Sequence, residues 1–226
     1  MTSARDDVFA NIRRSLGVTG REAPRQSVVN DRLRNAPAGI VPARGQGSPQ
    51  ERLARFRSEA ELVAATTAVV PRVDDIAGEV ARFLREHNLP ATLRIGADLR
   101  LTTLDWSATA LQVTQGPSQG DDLNALSHAF AGVAETGTLV LVSGADNPTT
   151  LNFLPDNHIV VLRASDLMGD METVWAAVRA RFGKGVLPRT INMITGPSRS
   201  GDIEQQIVLG AHGPRRLHII VVDDLG

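Results

Sequence analysis

An acidic side chain at a glycine-containing turn is the first candidate for chemistry in this sequence. Glu135 lies in Ala134-Glu135-Thr136-Gly137-Thr138, between two apolar segments that read as a pair of strands. A carboxylate in such a turn can act as a base, a nucleophile or a ligand for a cationic group. The alternative is that Glu135 only binds backbone amides of its own turn. We take Glu135 as a catalytic candidate, with three substrate-binding candidates beside it, Thr136, Gly137 and Thr138.

The segment from Thr195 to Glu204 combines small residues with an arginine and two acids. The pattern predicts a strand over 190–194 and a helix over 200–209, so the first N–H groups of that helix lie beside Arg199. With the serine hydroxyls they would bind an anion such as a carboxylate or a phosphate. Alternatively, the serines and acids cap the helix and bind nothing. The substrate-binding candidates here are Gly196, Ser198, Arg199, Ser200 and Asp202.

The loop before the last predicted strand supplies a histidine. His212 lies in Gly210-Ala211-His212-Gly213-Pro214, where Gly210 suits a helix stop and Gly213-Pro214 suits a turn. Histidine can serve as an acid, a base or a ligand near neutral pH. A turn or capping role is the alternative. We take His212 as the second catalytic candidate.

Composition excludes several other kinds of site. The sequence has no cysteine, so its own thiolates hold neither a zinc ion nor an iron–sulfur cluster. Its five histidines lie in separate segments without a His-x-x-x-His pair, so we predict no metal site. Neither Gly-x-x-x-x-Gly-Lys nor Gly-x-Gly-x-x-Gly is present. We therefore predict that this chain itself binds no cofactor.

Charge and hydropathy limit the partners. The formal net charge is −1 and aromatic residues make up 4%, so we predict no nucleic-acid binding. No window of about 18 apolar residues exists and no signal-like apolar run begins the sequence, which predicts a cytoplasmic protein without a membrane span. Residues 1–60 carry 11 arginines and 6 acids, whereas the remainder carries 13 basic and 19 acidic residues. A basic arm on an acidic body predicts either a docking segment or an arm that packs on its own domain.

These candidates need a framework that brings them together. From about residue 61, strand-like and helix-like segments alternate, which predicts an α/β fold with a mostly parallel sheet buried on both faces. The apolar runs Ile159–Leu162 and Ile219–Val222 support that burial, and the Glu135 turn adds an antiparallel pair. Ligands gather beyond the carboxyl ends of parallel strands. We therefore expect the Gly196 loop at that edge, with the Glu135 turn and the His212 loop nearby.

The N-terminal part is predicted to be less regular. Apolar side chains recur at helical spacing over residues 5–17, so we assign 1–17 as an N-terminal helix. Residues 18–50 contain four prolines and no period, so 18–60 is assigned as a linker or extended arm. The α/β domain then occupies residues 61–226.

Four short motifs together resemble a known family. Their order and spacing, with a closing strand near the C-terminus, resemble the LUD domain, on its lactate utilization protein C branch. The likeness extends over about residues 60–226, and Ser200-Gly201 departs mildly from the Thr-Ala that the family often has. The motifs are Ala134-Glu135-Thr136-Gly137-Thr138, Leu154-Pro155-Asp156-Asn157-His158, Gly196-Pro197-Ser198-Arg199-Ser200-Gly201-Asp202-Ile203-Glu204 and His212-Gly213-Pro214.

The resemblance implies a fold and a function. The fold is a three-layer, Rossmann-like sheet similar to that of the ribose-5-phosphate isomerase and CoA-transferase group. The function is work beside two iron–sulfur proteins in the oxidation of L-lactate to pyruvate, with a small carboxylate such as L-lactate as ligand and the clusters in the partners. In CoA transferases a glutamate at a strand-to-turn position is the nucleophile, and Glu135 is similarly placed. That likeness is one of fold, which does not establish function.

Three functions therefore stay open. The chain is a non-redox subunit of an L-lactate-oxidising assembly, where it binds substrate or organises the complex. Alternatively, it is an independent isomerase- or CoA-transferase-like enzyme that uses Glu135 and the Arg199 loop on a small carboxylate or phosphorylated substrate. The third interpretation is a scaffold that docks through its basic arm.

Overall fold

The computed structural model describes residues 3–203 and 206–225. Seven α-helices lie within these residues: α1 Ala4–Ser15, α2 Ala23–Asn35, α3 Pro49–Leu62, α4 Ile76–Glu86, α5 Leu99–Thr102, α6 Thr150–Phe153 and α7 Met171–Phe182. Twelve strands accompany them: β1 Thr66–Val70, β2 Thr92–Ile95, β3 Gln112–Gln115, β4 Asn124–His128, β5 Ala131–Val133, β6 Thr138–Val142, β7 Asn157–Arg163, β8 Leu167–Met168, β9 Ile191–Ile194, β10 Arg199–Ile203, β11 Gln206–Leu209 and β12 Arg216–Val222. The chain forms two compact units, one ending at Ile40 and the other beginning at Val41. None of the described helices has the length and apolar character needed to cross a membrane.

Six parallel strands form the central sheet of the second unit, in the order β1-β12-β7-β4-β2-β3. The apolar run of β7 is buried on both faces, because alternate side chains of a strand point to opposite sides. Val160 and Leu162 pack in one core, whereas Ile159 and Val161 pack in the other. The predicted α/β fold with a mostly parallel sheet is confirmed.

Different elements cover the two faces of the central sheet. Helix α4 packs on one face through a buried apolar stripe at helical spacing, formed by Ile76, Val80, Phe83 and Leu84. The other face is covered by α3 and by a second, four-stranded sheet in the order β8-β5-β6-β9. In that sheet β5 and β6 form the expected antiparallel pair around the Glu135 turn. Helix α7 packs on the far side of the second sheet through Val174 and Val178.

The order of the central strands contains a reversal. After β2 the chain adds β3 on one side, and it then places β4, β7 and β12 successively on the other side. A reversal of this kind leaves a crevice outside the carboxyl ends of the two strands that flank it, here β2 and β4. His128 is the last residue of β4, and Asp98 follows the end of β2, so both lie at this crevice.

Helices near the N-terminus differ in part from expectation. Helix α1 has a capping box formed by Ser3 and Asp6, and it agrees with the predicted N-terminal helix. Helix α2 occupies a stretch for which no helix was expected. That expectation was wrong because Pro24 lies in the first turn of α2, where the missing N–H of proline is not needed.

Two expectations for the C-terminal part were also wrong. Strands β10 and β11 pair as an antiparallel hairpin where a helix was predicted. Gly201 weakens a helix there, and the β-branched Ile203, Ile207 and Val208 favour strands. In addition, β9 belongs to the second sheet and runs antiparallel to β6. The loop after β9 therefore does not lie at the carboxyl edge of the parallel sheet.

Candidate functional site

Ser198 ties the two C-terminal motifs together. Its backbone N–H donates to the carbonyl of Pro214 at 2.8 Å, and its carbonyl accepts from the N–H of Gly210 at 3.0 Å. The N–H of His212 donates to Ser198 Oγ at 3.3 Å. These bonds hold the Gly196 loop against the His212 loop, so the two motifs form one unit.

The end of α3 explains why two motifs contain glycine. A Cβ on Gly137 would lie 2.4 Å from the backbone nitrogen of Ala60, and a Cβ on Gly196 would lie 2.4 Å from the carbonyl oxygen of Val63. Both glycines also have positive φ, +64° and +74°, a conformation that other side chains disfavour. Gly137 and Gly196 thus allow close packing against α3, and their contact with a substrate stays a prediction.

The Gly196 and His212 loops line a pocket of about 290 Å³, which we name the amino-edge pocket. It lies at the starts of β7 and β12, where His158 and Leu217 form part of its wall. Two of the three predicted motifs therefore meet. They do so at the amino ends of the parallel strands and not at the carboxyl ends, so the predicted edge was wrong. The lining residues that matter below are Asn152, His158, Thr195, Ser198, Arg199 and His212.

A buried polar chain leads into the amino-edge pocket. Ser127 Oγ donates to Asn152 Oδ1 at 3.1 Å, and His158 Nε2 lies 3.1 Å from Ser127 Oγ. Because the serine hydrogen is used on Asn152, Nε2 of His158 carries a hydrogen and Nδ1 carries the lone pair. Burial lowers the pKa of His158 to about 3, so the ring is neutral at pH 7.

Two atoms of this chain are left without partners. Among the described residues, neither His158 Nδ1 nor Asn152 Nδ2 has a hydrogen-bond partner, although both side chains are about 99% buried. Buried polar groups in native proteins are nearly always paired, so an unpaired acceptor beside an unpaired donor needs an explanation. A ligand that carries both a donor and an acceptor supplies one.

The predicted cation lies in the same pocket. Arg199 is exposed and makes no ion pair with a described residue, and His212 is exposed on the neighbouring loop. Ser200 is buried, with 6% of its surface exposed. The side chain of Asp202 lies outside the described part of the structure. The positive charge of the pocket thus comes from Arg199 and not from a helix N-terminus.

Glu135 lies apart from the amino-edge pocket. Its Oε1 accepts a hydrogen bond from Arg44 Nε at 3.2 Å, and its N–H donates to the carbonyl of Gly169. Glu135 is not among the described residues that line the pocket. Its carboxylate ties the turn to the segment around Arg44, and no described backbone amide of its own turn donates to it. The catalytic role of Glu135 stays a prediction.

Among the described residues, the threonines of the same motif connect to the pocket only through Thr195. Thr136 Oγ1 lies 2.7 Å from Thr138 Oγ1, and Thr138 Oγ1 lies 2.7 Å from Thr195 Oγ1. Thr195 lines the amino-edge pocket. The three hydroxyls therefore connect the Glu135 turn to the loop that carries Arg199.

Comparison with known proteins shows which family part of this chain resembles. The family model described as LUD domain matches residues 124–222. Residues 124–222 are therefore similar to the LUD domain family. The resemblance carried by the four motifs is thereby confirmed, and the match extends from β4 to β12.

Curated relatives share part of this chain. Lactate utilization protein C of Geobacillus thermodenitrificans is 36% identical over 130 residues, which cover 53% of this chain and 54% of that protein. Lactate utilization protein C of Bacillus subtilis is 33% identical over 134 residues, which cover 55% of this chain and 56% of that protein. The chain thus spans about half the length of the curated relatives it matches.

A solved structure supports the fold. The crystal structure of a DUF162 family protein from Deinococcus radiodurans matches with a TM-score of 0.61 and 23% sequence identity. The match covers 78% of this chain and 99% of the other. At this level of identity the likeness concerns the fold alone.

Residues 124–222 contain two site residues that the sequence pattern did not indicate. Ser127 lies in β4, a strand that was not foreseen because Asn-Ala-Leu-Ser-His lacks an apolar pattern. His158 was set aside as an isolated histidine, yet parallel pairing of β4 with β7 brings it to Ser127. The available signal was a histidine at the head of the apolar run of β7, because such a residue must be buried and needs a partner.

Proposed function

We propose that this protein takes part in lactate utilization and that its amino-edge pocket binds a small 2-hydroxycarboxylate such as L-lactate. The unpaired His158 Nδ1 and Asn152 Nδ2, which share the pocket with Arg199, carry the proposal. The names of the curated relatives supply the pathway. The ligand class follows from the kinds of atom that the pocket leaves unpaired.

Each group has a defined task in this proposal. Arg199 and Asn152 Nδ2 donate hydrogen bonds to the carboxylate, which suits an anion because charge-assisted bonds are the strongest available. Neutral His158 accepts the hydrogen of the 2-hydroxyl at Nδ1. Ser127 holds the ring in that tautomer from the opposite nitrogen. Propionate, which lacks the hydroxyl, leaves His158 unpaired and binds more weakly.

The electrons of the reaction go to partner proteins. Oxidation of L-lactate to pyruvate removes two electrons, and the 226 residues contain no cysteine that could hold an iron–sulfur cluster. We propose that iron–sulfur lactate utilization proteins, in the cytoplasm, hold the clusters and that this chain is their non-redox subunit. The chain alone then binds L-lactate but reduces no dye.

Titration with L-lactate tests the pocket. Arg199→Ala should weaken binding about ten- to hundred-fold, the equivalent of about 1.5–3 kcal/mol for a charge-assisted hydrogen bond. Arg189→Ala is the matched control, because Arg189 is exposed in the loop before β9 and does not line the pocket. Equal affinity in the two variants would contradict the role of Arg199.

Lactate-dependent dye reduction tests the division of labour. The chain alone should be inactive, and activity should appear when candidate iron–sulfur partners are added. Turnover by the pure chain would favour the independent-enzyme alternative instead.

A further inference from the structure

A second pocket, which we name the carboxyl-edge pocket, lies where β2, β4 and β7 end. It encloses about 120 Å³, and it occupies the crevice beside the reversal of strand order. The loop after β6 closes directly over β2, since a Cβ on Gly96 would lie 1.9 Å from the carbonyl oxygen of Asp146. The lining residues used here are Asp98, Arg100, His128, Asn147, Asp166 and Arg181.

His128 presents a hydrogen-bond acceptor to this pocket. Its Nδ1 lies 2.8 Å from the carbonyl oxygen of Ala129, which can only accept, so Nδ1 carries the hydrogen. The lone pair is therefore on Nε2, for which no described residue supplies a donor. Burial, with Arg100 nearby, lowers the pKa of His128 to about 4, so the ring is neutral at pH 7.

Asn147 supplies a second unpaired acceptor. The side chain is fixed, because its Nδ2 donates to the carbonyl of Val142 at 3.1 Å. Only 5% of the residue is exposed, and Oδ1 has no hydrogen-bond partner among the described residues. A buried carbonyl oxygen in this position requires a donor from a ligand or from water.

The charges of the pocket are partly paired. Asp98 accepts two-pronged hydrogen bonds from Arg100, at 2.6 Å and 2.9 Å. Burial raises the pKa of Asp166, although Arg163 and Arg100 oppose that effect. Arg181 stacks over the rings of Phe130 and Phe182 at 5.7 Å and 5.5 Å. Arg181 makes no ion pair with a described residue, so its charge is left for an anion. Asp146, the third carboxylate of the lining, accepts from the N–H of Asn147.

We propose that the carboxyl-edge pocket is a second binding site, for a compact carboxylic acid that carries more than one hydroxyl group. Arg181 binds the carboxylate, and the hydroxyls donate to His128 Nε2, to Asn147 Oδ1 and to Asp166. The volume suits a three- or four-carbon acid. The site is independent of the amino-edge pocket, because the two share no lining residue.

The histidine rings allow the two pockets to be read separately. D-glycerate and propionate have the same number of carbons, but glycerate has two hydroxyls and propionate none. In an Arg199→Ala background, glycerate should shift the ring ¹⁵N signals of His128, whereas those of His158 and His212 should move only at concentrations about ten- to hundred-fold higher than in the unsubstituted protein. Propionate should need at least a ten-fold higher concentration to shift the His128 signals, because the acceptors of the pocket stay unpaired when it binds.

Variants on helix α7 provide the matched test of the cation. Arg181→Gln should weaken glycerate binding about ten- to hundred-fold, as expected for loss of a charge-assisted hydrogen bond. Arg179→Gln, on the same helix but outside the pocket lining, should leave binding unchanged. Asp166→Asn is a second variant that keeps the side-chain shape and should weaken binding by a smaller factor.

Two results would overturn the proposal. One is the absence of any His128 shift with glycerate up to about 10 mM, ten times the upper end of ordinary Michaelis constants. The other is equal binding of glycerate and propionate. Shifts confined to His158 and His212 in the unsubstituted protein would reject the carboxyl-edge site while leaving the proposed lactate site intact.

Discussion

The amino-edge and carboxyl-edge pockets lie at opposite ends of the same parallel strands, and they are built differently. The first is formed mainly by loops whose residues are neighbours in sequence, Thr195–Arg199 and His212–Pro214. The second takes one to three residues from each of five separate segments, from Asp98 to Arg181. The first therefore leaves short motifs that can be read from the sequence. The second exists only after the strands are ordered in the sheet.

The largest expected effect concerns the glycines that let backbone segments approach at each pocket. Gly196→Ala should lower the free energy of unfolding by about 2–5 kcal/mol, because it combines positive φ with a clash at Val63. Gly96→Ala should cost about 1–3 kcal/mol, since it adds only the clash with Asp146. Urea unfolding measures both. Gly201→Ala, where a Cβ meets nothing, is the control, and a Gly196→Ala protein as stable as this control would contradict the packing role.

The two buried histidines should make stability depend on pH. Their folded pKa values, about 3 for His158 and about 4 for His128, lie below the ordinary value of 6.5. The unfolded chain therefore binds more protons below pH 6.5, and the folded state loses stability as the pH falls from 6.5 towards 4. Each ring should remove roughly 2 kcal/mol between pH 7 and pH 5.

Variants assign this pH dependence to the two pockets. His158→Gln and His128→Gln should each remove its own share of the slope, and unfolding curves at pH 7, 6 and 5 measure it. A slope that neither variant changes would show that the histidines are not the buried neutral groups described here.

The smallest expected effect comes from replacing Glu135. This substitution tests whether the Glu135 motif contributes a reactive group or only packing. The Arg44 side chain of the ion pair is 56% exposed, so Glu135→Gln should change the unfolding free energy by less than about 1 kcal/mol. A Glu135→Gln strain should grow on lactate at least as well as an Arg44→Ala strain, because both changes remove the same ion pair. Complete loss of growth in Glu135→Gln alone, with a normal melting temperature, would favour the CoA-transferase-like alternative.

The sequence predicted the fold well where apolar runs decide burial. Strands β2, β7 and β12 and helix α7 lie where the pattern places them, because a strand buried on both faces must be apolar throughout. Prediction from the sequence failed where polar residues are buried. Strand β4 carries Asn124, Ser127 and His128 in the centre of the sheet, and hydrogen bonds made across long sequence distances offset their burial.

The candidate sites, like the fold, could be predicted only in part from the sequence. The link between the Gly196 and His212 loops was expected, and Ser198 provides it. The edge of the sheet was not, because local spacing does not reveal that β9 pairs with β6 in a second sheet. Nor does any local pattern bring Asp98, His128 and Arg181 together, since that requires the order of the strands.

Ser127 and His128 are consecutive residues of β4: Ser127 holds His158 of the amino-edge pocket, and His128 lines the carboxyl-edge pocket. Side chains of neighbouring strand residues leave on opposite sides, so one hydrogen-bonding register sets both positions at once. Inserting a single residue upstream within β4 would place the Ser127 hydroxyl where the His128 ring belongs, and deleting one would place the His128 ring where the hydroxyl belongs. The two sites are therefore locked to a common frame. Evolution can tune either one by substitution, but it cannot shift one along this strand without shifting the other.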